Sequence, residues 1–389
     1  MLPEGWKNIS LMKLADKISD GIHTTPEYAD GTGLYFINGN NLKNGRISIG
    51  LSTKSVNESE FKKHKKDLTE RTLLISINGT IGNIAFYNGE PVILGKSAAY
   101  VNIKNEVSKD YVYYFLTSDI IQKYFTNEVT GSTIRNLSLG TIKQTPTPLP
   151  PLAEQRKIAE ILSVWDHAIE VVEKLIANAK AQKKALMQTL LTGKKRLPGF
   201  KGEWRTVKLA ACANSQDNKR VPLNGEQRQA MQGAIPYYGA NGIVGYVNDH
   251  IFDEPLVLLA EDGGYFDEYE TRPIAQLVKG KSWVNNHAHI LTSKRDTKTE
   301  WIYYSLVHRN ILDFVNGGTR AKLNKSDMLQ IPMHLPAPDE QEAICNVLSK
   351  TELCLDNYKM QLSHLNSQKS ALMQQLLTGK RRVKVEGAL

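Results

Sequence analysis

Cysteine is scarce in this chain. Cys212, Cys345 and Cys354 are the only three, too few for a disulfide framework, and no CxxC pair is present to build a zinc knuckle. Reducing cytosol is the compartment this predicts. Long apolar runs are missing as well, with no stretch of about 18 uncharged apolar residues. The opening MLPEGWKNIS lacks the charged-then-apolar order of a secretion signal. The expectation is a cytoplasmic protein with no membrane partner. Acid is in deficit: 40 Asp plus Glu stand against 49 Lys plus Arg, a net charge of +9 and a pI near 9.1. That favours a polyanionic partner, nucleic acid first. At 41% hydrophobic and 23% charged residues the composition excludes wholesale disorder and collagen-like sequence. A length of 389 residues corresponds to two or three folding units at roughly 150 residues each.

Catalytic constellations are also lacking. A nucleic-acid methyltransferase needs a glycine-rich cofactor loop after a strand and an Asn/Asp-Pro-Pro-aromatic tetrapeptide, and neither occurs; the only Pro-Pro pair is Pro150-Pro151. GEPVILGKSA approaches a P-loop, but five residues separate Gly89 from Gly95 where four are required, and the following AAYVNI reads as strand. His287 and His289 would share one strand face, yet no third ligand stands at metal spacing, so they read as a half-buried strand pair. Cys345 and Cys354 fall on opposite faces of one helix.

What the chain does contain is a repeat. Residues 181 to 196, AQKKALMQTLLTGKKR, match residues 367 to 382, SQKSALMQQLLTGKRR, at 12 of 16 positions with an offset of 186. The same offset pairs Glu154-Gln155 with Glu340-Gln341 and Ile158 with Ile344, and EGWKNISLMKL resembles GEWRTVKLAA, pairing Trp6 with Trp204. The order is variable segment, helix, variable segment, helix. Ile158, Leu162, Trp165, Ile169, Val172, Ile176 and Ala179 follow alternating spacings of four and three, and Ile344, Leu348, Thr351, Leu355, Tyr358, Leu362 and Leu365 keep that register. This is a coiled-coil seam, interrupted in both copies by Lys183 or Lys369 and stopped by Gly193 or Gly379. Each helix spans about 38 residues, roughly 57 Å. Pro150-Pro151 and Pro336 to Pro338 precede them, with Asp339 and Glu342 forming a capping box in the second. Two such helices predict antiparallel pairing with each other, pairing with another subunit being the alternative.

The variable segments read as β-rich. TLLISI (72 to 77), NIAFY (83 to 87), AAYVNI (98 to 103), PLVLLA (255 to 260) and HAHILT (287 to 292) are short strands between Asn-Gly and Gly-Asn turns. Helices are expected at 109 to 125 and 299 to 314. Basic and amide residues crowd the expected loops: Asn38, Asn40, Asn41, Lys43 and Arg46; the run Lys62, Lys63, His64, Lys65 and Lys66; then Asn218, Lys219, Arg220, Tyr237, Tyr238, Asn241, Asn285 and Asn286. Lysines neutralise phosphates, whereas Asn and Arg pair bidentately with adenine and guanine; a solvated surface is the competing reading for each residue singly. The glycine loops GSTIRN and GGTRAKLN recur, freeing backbone N–H groups for phosphate beside Ser132, Thr133 and Arg135, or Thr319, Arg320 and Lys322.

LPPLAEQRKIAEIL, a heptad helix ending ALMQTLLTGKKR, and a second copy ending ALMQQLLTGKRR make the whole chain resemble the specificity subunit of type I restriction-modification systems. ISINGTIGNIAFY, GKSAAYVNI and TGSTIRNLS match the family's usual run, which adds Asn78, Thr80 and Lys96 as DNA-binding residues; in the second segment LLAEDGGYFDEY puts an acidic loop at the turn. The resemblance implies an α+β fold with two β-rich target-recognition domains separated by two long antiparallel coiled-coil helices, a pseudo-twofold internal repeat. Its expected bounds are 1–149 and 197–335 for the recognition domains, 150–196 and 336–382 for the helical spacers, and 383–389 for a tail. It also implies a non-catalytic reader of double-stranded DNA whose domains each recognise half of an asymmetric bipartite site. Two methyltransferase subunits would dock near Glu154, Gln155, Glu340 and Gln341, and restriction and translocase subunits would join through them. S-adenosylmethionine, ATP and Mg would then serve those partners, with no cofactor bound by this chain. A stand-alone DNA-acting enzyme and a coiled-coil adaptor without DNA specificity are the competing classes.

Overall fold

Short β-branched runs between glycine turns can bury themselves only by pairing, and both variable segments do so in the same order. The computed structural model describes residues 2–129, 135–317 and 321–385. They fall into two units: residues up to Glu173 together with those from Met360, and Lys174–Lys359. In the first unit, Ala15–Asp20, Ala98–Ile103, Thr72–Ser76 and Ile84–Phe86 lie side by side as an antiparallel sheet. Tyr35–Ile37 and Val92–Leu94 form a separate parallel pair. Thr72–Ser76 is buried at every residue, which is why it reads as a continuous apolar run instead of alternating. The helix expected over 109 to 125 is two, Lys109–Thr117 and Asp119–Asn127, because Ser118 takes extended angles between them.

The second unit repeats this plan. Ala213–Ser215, Ala288–Ser293, Leu256–Ala260 and Ala275–Val278 form the four-stranded antiparallel sheet, and Tyr237 and Tyr238 pair in parallel with Trp283 and Val284. The helix expected over 299 to 314 covers only Thr299–Leu306, followed by a 3-10 turn, Leu312–Phe314.

Two long helices, Leu152–Leu190 and Pro338–Leu376, have 39 residues each, about 58 Å at 1.5 Å per residue. Every residue of the alternating four-three seam is buried or half-buried in both copies. The capping box expected at Asp339 and Glu342 does not form. Pro338 already occupies the first helical position, where its missing N–H costs nothing, and Glu342 pairs with Lys298 at 2.7 Å. Both helices close alike: Gly193 and Gly379 take φ of 70° and 74°, and Lys195 and Arg381 donate backbone N–H bonds to Thr189 and Gln375 at 3.1 Å.

Each unit contains the first half of one long helix and the last half of the other. In the first unit, Lys369 meets Asp166 at 2.5 Å, and Arg382, beyond the second helix, pairs with Glu154 near the start of the first. The two halves therefore run antiparallel there. In the second unit, Lys183 meets Glu352 at 2.5 Å and Arg196 clamps Glu340 with bonds of 2.5 and 2.7 Å. Moving Asp166 and Glu154 forward by the repeat interval of 186 gives Glu352 and Glu340, and moving Lys369 and Arg382 back by it gives Lys183 and Arg196. The sequence repeat is thus also a repeat of ion pairs.

Candidate nucleic-acid interface

Backbone pairing brings separate loops together at one edge of each sheet. In the first unit, Ile77 donates its N–H to the Ser97 carbonyl at 2.9 Å, Leu137 donates to the Ile77 carbonyl at 2.8 Å, and Gly95 donates to the Ile37 carbonyl at 2.8 Å. Loops 38–41, 77–82, 95–97 and 135–137 are thereby one surface. In the second unit, Glu261 donates to the His287 carbonyl at 2.9 Å, Leu323 to Glu261 at 2.7 Å and Asn285 to Tyr238 at 3.0 Å. The same scaffold results, with Asp262 standing where Asn78 stands, His287 for Ser97, Lys322 for Asn136 and Asn241 for Asn40.

The expected contact residues sort unevenly on this surface. In the first unit Asn40, Thr80, Lys96 and Arg135 are exposed on the loop cluster. Asn78 is half-buried and donates to the Lys96 carbonyl at 3.2 Å. Asn41 builds a turn, accepting from the Asn38 N–H and donating to the Ser48 carbonyl, both at 3.0 Å. Lys43 and Arg46 flank the Asn44-Gly45 hairpin turn, whose φ values are 49° and 76°, and Arg46 reaches Glu170 at 3.5 Å. The run from Lys62 to Lys66, expected as a loop, is loop only from Lys65 onward. Glu58–His64 is a helix capped by Asn57, with Lys62 on Glu58 at 2.6 Å and Lys63 on Glu60 at 3.1 Å. Lys65 is exposed and Lys66 half-buried. Ser132, Thr133, Thr319 and Arg320 lie outside the described residues.

In the second unit Lys219, Asn241 and Asn286 are exposed, Tyr238 is half-buried and Asn285 is buried. Asn285 accepts from the His287 N–H at 2.8 Å, and Asn241 donates to the Gly263 carbonyl at 2.8 Å. Arg220, expected to read DNA, is instead an internal strut. Its guanidinium pairs with Glu261, donates to the Asp217 carbonyl at 3.0 Å and reaches the Ala288 carbonyl at 3.1 Å, so Nε and one terminal nitrogen are committed inward and the side chain is only 17% exposed. Lys322 also pairs with Glu261, at 3.2 Å, but remains half exposed. Behind this face His289, 1% exposed, holds Asp217 at 2.7 Å and the Leu323 carbonyl at 2.8 Å. Burial by itself would raise the Asp217 carboxyl. The bonds from His289 and the Ile290 N–H, with the charges of His289 and Arg220, overcome it and hold the group below its ordinary value. Glu261 is likewise held low by Arg220 and Lys322 against its burial. The strand pair His287 and His289 is therefore split between two carboxylates, Asp262 and Asp217. Among the described residues no group of three or more His, Cys, Asp or Glu stands together as a metal site.

Glu154, Gln155, Glu340 and Gln341, expected on a partner-contact surface, are interior residues, 6%, 2%, 1% and 0% exposed. Gln155 accepts from the Ser108 N–H at 2.8 Å and donates to the Pro150 carbonyl at 2.8 Å; Gln341 does the same with the Lys298 N–H at 2.9 Å and the Pro336 carbonyl at 2.9 Å. Glu154 accepts from Trp6 Nε1 at 3.2 Å and Glu340 from Trp204 Nε1 at 3.0 Å. A buried polar side chain must find partners inside the chain, and here the repeated Glu-Gln pair fastens each recognition segment to a helix start. The repeated tryptophans Trp6 and Trp204 were legible as landmarks; their role as donors was not.

This fold and these paired loop scaffolds can be set beside known proteins. The type I restriction modification DNA specificity domain matches residues 3–181 and again 201–366. The chain belongs to the type I restriction-modification specificity-subunit family and carries its DNA specificity domain twice. It is a DNA-recognition subunit of a type I complex. The MjaVIII specificity subunit of Methanocaldococcus jannaschii is 22% identical over 361 residues, covering 82% of this chain and 80% of that one. A Haemophilus influenzae sequence assigned as the specificity subunit S.HindORF215P is 36% identical over 155 residues, only 38% of its own length. In fold, the chain is similar to the S subunit of a type I system from M. genitalium, with a TM-score of 0.65 at 18% identity over 96% of both chains. It also resembles a chain from a structure of type I complex assembly and conformational transition, with a TM-score of 0.60 at 17% identity over 98% of this chain and 100% of the other. Among the described residues no helix is long and apolar enough to cross a membrane.

Proposed function

We propose that each unit reads one half of an asymmetric bipartite site on double-stranded DNA, through recognition domains spanning residues 1–149 and 197–335. One observation carries this reading: the two loop clusters share a backbone hydrogen-bond scaffold but present different side chains on it, Asn78, Ser97 and Asn136 against Asp262, His287 and Lys322. Equal scaffolds with unequal side-chain chemistry suit two half-sites of different sequence. The long helices set the interval between half-sites. Two methyltransferase subunits dock on the repeated parts of the chain, by residues other than the interior Glu154, Gln155, Glu340 and Gln341, and restriction and translocase subunits join through them. Adenine methylation and DNA cleavage belong to those subunits, with S-adenosylmethionine, ATP and Mg as their cofactors.

The test is a domain exchange. Replacing residues 1–149 by the equivalent domain of another such subunit, in the presence of the cognate methyltransferase, should change one half of the methylated motif and leave the other. A hybrid in which both halves change would overturn the reading.

A further inference from the structure

His287 belongs to a motif, His-Ala-His, that the scaffold treats unequally. His289 is spent internally, both ring nitrogens facing acceptors. His287 has one nitrogen committed: Nδ1 lies 2.6 Å from Asp262 Oδ1, and the side chain is 40% exposed. A carboxylate only accepts, so Nδ1 carries a hydrogen and Nε2 is the ring atom left to offer. The first unit treats the matching position differently. Ser97 donates inward to Asn38 Oδ1 at 2.7 Å and accepts from the Gly39 N–H at 2.9 Å. The second unit has thus replaced an inward hydroxyl with an oriented ring on the loop edge that also carries Asn286 and Lys322.

We propose that His287, oriented by Asp262, is a specificity-determining residue that hydrogen-bonds a base edge in the second half-site, accepting at Nε2 from the N4 amino group of a cytosine. Asp262 is its positioning residue. The proposal rests on the reading that this chain recognises DNA through both loop clusters, and it adds the base chemistry of one position. With Nδ1–H turned to the carboxylate, Nε2 presents a lone pair, which matches cytosine, whose major-groove edge offers the N4 donor.

The experiment uses the full chain assembled with its methyltransferase subunits and reads the methylated motif by sequencing. His287→Ala should relax one cytosine of the second half-site, with discrimination there falling about tenfold, while the first half-site stays unchanged. Asp262→Asn should relax the same position. His287→Gln keeps polar volume should the alanine variant fold poorly, and its amide should move the preference at that position toward adenine, which Gln pairs bidentately. Unchanged cytosine preference in an active His287→Gln or His287→Ala complex would overturn the proposal and leave DNA recognition standing. Wild-type methylation lacking any second half-site would overturn the underlying reading and this proposal with it.

Discussion

Lys183 and Glu352, 169 positions apart in the chain, meet at 2.5 Å inside the second unit. By periodicity Lys183 interrupts an otherwise apolar seam, yet the structure makes it a fastening, because Tyr304 Oη donates to the same carboxylate at 2.7 Å. In the first unit Tyr114 and Lys369 converge likewise on Asp166, at 2.7 and 2.5 Å. Burial first, and then the adjoining carboxylate, push both phenols above their ordinary value, so they remain donors across the physiological range. A helix of each recognition domain is tied in this way to both long helices at once.

Replacing Glu352 with Gln should therefore destabilise the second unit. Lys183, only 16% exposed, would be left without its counter-charge, at a cost of about 1.5 to 3 kcal/mol, the range for hydrogen bonds to charged groups. Asp166→Asn should cost less, since that carboxylate is 40% exposed. Urea denaturation of the two variants gives the comparison. Equal and negligible shifts would mean that solvent already carries both lysines.

Acid should find the second unit first. Asp217 and Glu261 are held below their ordinary values in the folded chain, so their stabilisation is present above the unfolded carboxylate range, about pH 4, and is lost as pH falls through the lower folded values. The first unit has Ile77 and Ala99 at the positions of Glu261 and His289. Thermal melting from pH 3 to pH 7 should show an acid limb that Asp217→Asn flattens, together with lower stability at neutral pH. An unaltered limb in that variant would place the acid sensitivity elsewhere.

Phosphate binding by the Lys62 to Lys66 run should be weaker than its four lysines imply. Glu58 and Glu60 pair with Lys62 and Lys63 on the same helix, which leaves a net charge of +2 across those six groups. The slope of log affinity for DNA against log salt should flatten by about one unit for each phosphate no longer neutralised. Removing Lys96 and Arg135 together should flatten it by about two units, and removing Lys62 and Lys63 together by less. The opposite order would assign phosphate binding to the helix instead of the loop cluster.

One heptad inserted after Ala179 and another after Leu365 falls, in each helix, between Asp166 and Lys183 or between Glu352 and Lys369, so both fastenings survive. The helical connection lengthens by about 10 Å and rotates by only about 20°. Up to about three base pairs of added gap would correspond to that length at about 3.4 Å per pair. Such a change also rotates the half-sites around the duplex, so affinity should fall. The methylated motif of the variant is the measurement; an active variant with the original gap would remove the helices as the ruler.

Much of the fold was legible because period and repetition are one-dimensional signals. The five short strands lie within a residue of their expected places, and both long helices begin two residues inside their expected spacers and end six residues before the spacer ends. What could not be read was set by partners distant in sequence. Ser118 breaks a helix whose apolar pattern runs straight through it. Arg220 looks like a DNA-binding residue until Glu261 and Asp217 are folded beside it. The Glu-Gln pairs repeat so clearly that an external role was the natural expectation, although their hydrogen bonds to Trp6, Trp204, Ser108 and Lys298 make them internal. At the interface the lysine run was visible as charge, but the glutamates that offset two of its members share its helix, and only helical spacing brings them together.

The division of the chain also sets an order of assembly. The second unit is a single continuous stretch, Lys174–Lys359, whereas the first requires residues from Met360 onward to meet residues up to Glu173. During synthesis, the segment made first must wait for Lys369 and Arg382 before Asp166 and Glu154 find their counter-charges. The unit that begins earlier therefore finishes later, and a chain released near residue 360 would hold a completed second unit beside an unfinished first one.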